Sequence, residues 1–332
     1  MTPRAARYVR RTVLFAGPVL ALATFLVLPG FYVDGESREV AFTTAGRATL
    51  AMVVWMAAWW MTEAVDIEVT ALLPIALFPI LGIATIGKAT EPYASDVIYL
   101  FLGGFVLGLA IERWGLDRRI AFHTLRLTGP RPGAMVAGFM AATAFLSMWI
   151  SNTACAAMMV PIAVSVIDLV LRSRTGKGLR ESGGIPQERV AERNFALGLL
   201  LAVAYAASIG GIATLIGSPP NGIAARFIAQ TYGKEVTFLD WMAFGLPFTL
   251  AFLPIAWLFL TKVLFPVDFR EVPGGREMIA TEIAKLGPMN RGEKATLAVF
   301  AAAAFLWIFG GLLRGVDIGG IRPLRGLTDS GV

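Results

Sequence analysis

Uncharged stretches of about bilayer length alternate along this chain with short clusters of charge. No Asp, Glu, Lys, Arg or His occurs between Thr12 and Val33, and none between Asn194 and Ala225. A helix rises about 1.5 Å per residue, so roughly 20 such residues match a hydrocarbon core about 30 Å thick. The pattern predicts spans over 12–30, 47–62, 67–85, 96–112, 194–216, 240–263 and 294–312. A further apolar stretch, 133–171, is too long for one span and is interrupted at Ser151-Asn152-Thr153. Trp114 to Thr128 reads as a short amphipathic helix along the cytoplasmic interface, with Leu116, Ile120, His123 and Leu127 opposite Asp117, Arg118 and Arg119. Residues 173–192 read as a solvated loop. Its Thr175-Gly176-Lys177 triplet lacks the upstream glycines and the strand that a phosphate loop needs.

Composition narrows the class. Hydrophobic residues make up 56% of the chain and charged residues 16%, with a mean hydropathy of +0.68. Soluble domains carry roughly a quarter charged residues, so the chain is expected to be an all-α, polytopic membrane protein. Arg4, Arg7, Arg10 and Arg11 precede an apolar run too long for a signal-peptide core, so the first span is expected to be retained. With a cytoplasmic N-terminus, most of the 29 lysines and arginines fall on the inner side: this first cluster, Arg113 to Arg131, Arg172 to Arg193, and Lys262 to Lys294. The positive-inside rule therefore predicts a multi-pass protein of the inner (plasma) membrane with a cytoplasmic N-terminus and lipid around it. This orientation makes 133–171 start and finish in the cytoplasm, which a re-entrant hairpin and a pair of full spans both satisfy.

Charge also excludes several chemistries. The net charge of +6 sits at the ends of apolar segments, as topology signals do, and no nucleic-acid partner is expected. A single cysteine, Cys155, rules out an internal disulfide framework, and the lone His123 leaves no imidazole cluster for zinc. No nucleophile–base pair lies at membrane depth. Glu63, Asp66 and Glu68 fall at a helix boundary, where they serve as first-turn charges. No enzyme activity is expected.

Two polar interruptions carry the candidate chemistry. The first is Ser147-Met148-Trp149-Ile150-Ser151-Asn152-Thr153, with Pro161 downstream. Ser, Asn and Thr cap helix N-termini well, so one helix is expected to end and another to begin here. The second runs from Ser208 through Gly210, Gly211 and Thr214 to Gly217-Ser218-Pro219-Pro220-Asn221, a discontinuous helix with an unwound middle. Irregular backbone at membrane depth is tolerated only inside protein or along a cavity. Free carbonyls and hydroxyls suit a hard cation such as sodium, and free amides at a helix N-terminus suit an anion. Paired breaks near the midplane are the best sequence pointer to a secondary-transporter site. Gly103, Gly104 and Gly108 read instead as close-packing residues. From Pro132 to Leu171 the only charged residue is Asp168. A di-anion would therefore be held by dipoles, hydroxyls, amides and bound cations, which gives a physical reason for obligatory coupling.

From about residue 45 onward the chain resembles the divalent anion/sodium symporter family, which carries dicarboxylates, citrate or sulfate. The matching stretches are Trp60-Met-Thr-Glu-Ala-Val65 with Val69-Thr-Ala-Leu-Leu-Pro74, Val97 to Phe105, Glu112 to Ala121, Ser147 to Ala154, and Ile216 to Asn221. Ile67 stands near where the family often has proline. The resemblance implies that 133–171 is a re-entrant hairpin with Ser151-Asn152-Thr153 at its tip. It implies sodium ligands at Ser147, Ser151, Asn152 and Gly217, and substrate contacts from Asn152, Thr153, Ser218 and Pro219. It further implies one complete copy of an inverted repeat, a homodimer, and an elevator-type symporter for dicarboxylate with Na+ as coupling ion. The expected division is an N-terminal span (1–43), scaffold spans and interfacial helix (44–131), hairpin (132–172), cytoplasmic loop (173–193), discontinuous helix (194–230), sixth span (231–263), and a final section (264–332) holding a cytoplasmic loop, a seventh span and the start of a second repeat.

Only one Ser-Asn-Thr tip and one Gly-Ser-Pro-Pro-Asn break occur, where the family has a second tip and a second sodium site. The expectation is an N-terminal two-thirds that binds sodium weakly and does not transport alone. A sulfate or other oxyanion symporter of the same family is the alternative transporter. A non-transporting membrane scaffold is the alternative of another class.

Overall fold

The computed structural model describes residues 3–35, 38–185, 189–272, 274–315, 324 and 326–332, with side chains from Arg10 onward. The side chains of Arg4 and Arg7, and most of the expected start of a second repeat, lie outside the described residues. The chain forms two compact units, Met1–Ser95 and Asp96–Val332.

In the first unit α1 (Pro3–Val27) packs against α2 (Thr44–Thr62). Their close approach needs Gly17, where a Cβ would sit 2.6 Å from Trp59 Nε1, the donor to Val13 O. Two three-residue strands join them, β1 (Phe31–Val33) and β2 (Glu39–Ala41), antiparallel with Phe31 opposite Ala41. The span expected over 67–85 is instead two short helices, α3 (Ile67–Ala71) and α4 (Leu73–Ile80). Pro74 is the cause: it has no N–H to give and crowds the carbonyl four residues back. Short α5 (Ile86–Thr90) and a 3-10 turn (Glu91–Ala94) follow.

The second unit holds α6 (Asp96–Trp114), α7 (Leu116–Arg126), α8 (Pro132–Ser147), α9 (Asn152–Thr175), α10 (Val190–Gly211), α11 (Pro219–Tyr232), α12 (Phe238–Leu258, extended by a π-helical turn Phe259–Leu264), α13 (Gly275–Leu286) and α14 (Arg291–Leu313). Its core lies where α8, α9 and α10 meet, around Phe139, Met159, Val166, Phe195 and Leu199. Small residues let these backbones approach. A Cβ on Gly210 would collide with the backbone of Ala144. Among the described residues six helices are long and apolar enough to cross a membrane, α9, α10, α12 and α14 among them. With its 16 residues α8 is not one of these, reaching only about 24 Å.

The interfacial helix α7 differs from expectation in which face it buries. Leu116, Asp117, Ala121, Phe122 and Leu125 are buried, whereas His123 is exposed and Leu127 is 88% exposed. Its partners are α8 and α13, so protein packing chooses the buried face and the sequence periodicity about Ile120 and His123 does not. Arg119 is drawn in as well. Its guanidinium takes both carboxylate oxygens of Glu293 (2.9 and 3.2 Å) and the carbonyls of Leu286 and Gly287. Beside it Gly292 presses on the Trp114 ring so closely that a Cβ there would overlap the indole.

Candidate functional site

Both expected breaks are present, and they lie against each other. α8 ends at Ser147 and α9 begins at Asn152 with Ser151 as its N-cap, the Ser151 hydroxyl accepting from Ala154 N at 3.3 Å. α10 ends at Gly211, a 3-10 turn covers Leu215–Gly217, and α11 begins at Pro219. The Ser147 hydroxyl lies 2.7 Å from Asn152 Oδ1 and 2.7 Å from Ala207 O. It has one hydrogen for two acceptors, so Asn152 Oδ1 and Ala207 O converge on the fully buried Ser147 side chain with one hydroxyl hydrogen between them. A Cβ on Gly211 would overlap Asn152 Oδ1, and one on Gly217 would lie 2.6 Å from Gly211 O. Asn152, Gly211 and Gly217 thus stack in sequence across the two breaks.

Thr214 and Asn221, which had no assigned part, hold this arrangement. Thr214 is fully buried; its hydroxyl donates a short hydrogen bond to Met148 O and accepts from Gly217 N at 3.1 Å. It therefore ties one break to the other. Asn221 is buried, and its amide donates to Gly211 O (2.7 Å) and Thr214 O (2.8 Å), closing the unwound stretch on itself. Helix α12 adds Trp241 Nε1 to Ile212 O (2.9 Å) and Thr249 Oγ1 to Ile209 O (3.0 Å). Most carbonyls of the second break already accept one hydrogen bond. The signals existed: Thr214 stands three residues before Gly217, at capping spacing, and Asn221 closes the Gly-Ser-Pro-Pro-Asn string.

The other expected residues stand apart from the oxygen cluster. Thr153 is exposed in the first turn of α9. Ser218 is half-buried and extended (φ −153°, ψ 136°) ahead of α11, and its hydroxyl makes no capping bond. Pro219 is exposed. No hydrogen bond joins these three side chains to Ser147 or Asn152 among the described residues. Pro219 and Pro220 carry no N–H, so α11 opens with fewer free donors than most helices. The start of α9 keeps the amides of Asn152 and Thr153, which have no acceptor within the helix.

A cavity of about 310 Å³ lies on the flank of the tip, lined by Gly108, Glu112, Asp117, Ile150, Ser151 and Ala154. Burial pushes the Asp117 carboxyl above its ordinary value, offset in part by the hydrogen bond from Arg118 N. Gly108 sets the width of this contact, since a Cβ there would meet Ile150 Cγ2 at 3.0 Å. Among the described residues no group of three or more His, Cys, Asp or Glu is placed to hold a metal ion, so an ion at the tip would rely on hydroxyl, amide and backbone oxygens.

Fold and site define a polytopic helical membrane protein built around two apposed helix breaks. The chain belongs to the family described as the sodium:sulfate symporter transmembrane region, whose model matches residues 40–321. This is a family of transporters and not of enzymes. The chain is 37% identical over 295 residues to the sodium-dependent dicarboxylate transporter SdcS of Staphylococcus saprophyticus, covering 89% of this chain and 53% of that protein. It is 38% identical over 295 residues to the proteins of the same name from Staphylococcus aureus strains RF122 and NCTC 8325, with the same coverage. The chain thus spans about half the length of the curated relatives it matches.

Proposed function

We propose that the chain contributes a sodium and carboxylate half-site to a sodium-coupled dicarboxylate symporter of the inner membrane. The observation that carries this reading is the convergence of Asn152 Oδ1 and Ala207 O on the buried Ser147 hydroxyl, which has one hydrogen for the two acceptors. Hard cations favour such oxygens. In this reading Ser147, Ser151, Asn152 and the Gly217 backbone hold Na+. Asn152, Thr153, Ser218 and Pro219 meet the substrate carboxylate, and the first amides of α9 supply the partial positive charge. The ion neutralises part of the anion's charge, so each stabilises the other. The names of the staphylococcal relatives favour a dicarboxylate such as succinate, and the family description favours sulfate as the second reading.

The same reading takes α8 and α9 as a hairpin entering from the cytoplasm, supported by the shortness of α8. It takes 132–172 and 194–230 as the moving part of an elevator, with 44–131 as its scaffold in a homodimer and the N-terminus cytoplasmic. Two assays test it. Sodium titrated against potassium should raise the melting temperature of the chain in nanodiscs, and Asn152→Ala should abolish that rise. Succinate should add stability in sodium only. An equal response to potassium, or an unchanged response in Asn152→Ala, sinks the half-site. Competition between succinate and sulfate for the sodium-dependent thermal shift in nanodiscs decides the substrate.

A further inference from the structure

We propose that Asp329 is a positioning residue for the hairpin tip, acting through a run of stacked aromatic rings. The inference rests on the sodium reading above. Asp329 Oδ2 accepts the backbone N–H of Phe238 at 2.7 Å, and its carbonyl accepts Trp307 Nε1 at 2.9 Å. One residue therefore sets both of the next two rings, Phe238 from its backbone and Trp307 from its indole. Those rings stack at 5.3 Å and 11°. Phe238 stacks in turn with Trp149, at 6.3 Å and 19°, and Phe300 meets Trp149 edge-on at 4.9 Å. Trp149 lies in the turn between Ser147 and Ser151.

Two features separate this from ordinary packing. The capping box of α12 already serves the amide of Asp240 from Thr237, with Asp240 answering the amide of Thr237. The Phe238 amide is the next unserved donor, and Asp329 reaches it from a distant point in the chain. Its carboxylate is mostly buried, and the ion pair it makes among the described residues is loose, 3.4 Å from Arg314, so its tighter hold there is on α12. Phe238 is fully buried and cannot shift without moving its neighbours. The tip is thus fixed from two directions: Thr214 holds the Met148 carbonyl, and the aromatic run holds the Trp149 ring. Loss of either leaves the oxygens of Ser147 and Asn152 in place chemically but free to drift.

The test is sodium titration against potassium at constant ionic strength, on the full chain in nanodiscs, read from the thermal midpoint. Asp329→Ala removes the acceptor and is expected to raise the sodium half-saturation about threefold to tenfold, the net worth of roughly one hydrogen bond expressed as affinity. Asp329→Asn keeps a side-chain oxygen and should bring the value back to within about twofold of wild type. Phe238→Leu keeps the amide but removes the middle ring. It should raise the half-saturation as well, and it decides the matter if Asp329→Ala does not fold. Wild-type half-saturation in these variants, with only a lower melting temperature, would make Asp329 structural and overturn the proposal. A wild-type chain with no sodium response would overturn the sodium reading and this inference with it.

Discussion

The two helix breaks solve the same problem in opposite ways. In the first, four residues turn between α8 and α9, and the polar groups at its ends are left under-used: Ser147 shares one hydrogen between two acceptors. In the second, the carbonyls of Ile209, Gly211, Ile212 and Thr214 are each taken by a side chain from Thr249, Asn221 or Trp241. Unwound backbone inside apolar surroundings costs free energy unless its polar groups are paired. The second break is paired and rigid, so the first is able to remain under-coordinated. One is a frame and the other is where a ligand has most to offer.

This contrast is open to attack by mutation. The largest effect is expected at the contact between the breaks. Gly211→Ala drives a methyl into Asn152 Oδ1 and should destabilise the chain by about 3 kcal/mol or more, with loss of the sodium response. A thermal melt with sodium titration checks both. Asn221→Leu next removes two buried hydrogen bonds and strands the Gly211 carbonyl, for about 2–4 kcal/mol in the melt. Thr214→Val keeps the shape and cuts the tie between the breaks. It should cost about 1–2 kcal/mol and loosen hydrogen exchange at Gly217. Ser147→Ala belongs on the other side of the comparison. It should change stability by less than about 1 kcal/mol while weakening sodium binding more than any of these changes per unit of stability lost. If Ser147→Ala destabilised the chain as much as Asn221→Leu, the frame-and-ligand distinction would fall.

The smallest effect concerns Asp117, beside the first break. Its carboxyl is raised above its usual value by burial. The folded chain therefore holds this proton more tightly than the unfolded chain does. Stability from this group is fully present below the ordinary carboxylate value of about 4 and falls as pH rises through the raised value. Asp117→Asn should flatten that slope in melts taken across the acidic range.

Much of this arrangement was legible in the residues. Charge clusters marked the ends of most spans, because a bilayer punishes misplaced charge. Ser151 announced the start of α9, and the glycines with Pro219-Pro220 announced the break after α10, because caps and prolines act locally; α11 in fact opens at Pro219 itself, since proline is tolerated in a helix's first turn. What could not be read depended on partners far along the chain. The buried face of α7 is chosen by α8, α13 and Glu293, which no periodicity within α7 encodes. The parts played by Thr214 and Asn221 need the folded proximity of the two breaks. The split at Leu72 was readable in Pro74, but the apolar run around it hid the signal.

The Arg119–Glu293 pair has a consequence for biosynthesis. Its members are 174 residues apart, and synthesis at about 5–20 residues per second separates their emergence by roughly 10–35 s. Through that interval α7 has left the ribosome, while its buttress has not been made. A guanidinium awaiting its carboxylate has to borrow a lipid phosphate or water. The α8–α9 pair gains its main support earlier, from α10, whereas the Arg119 corner closes only when the start of α14 arrives.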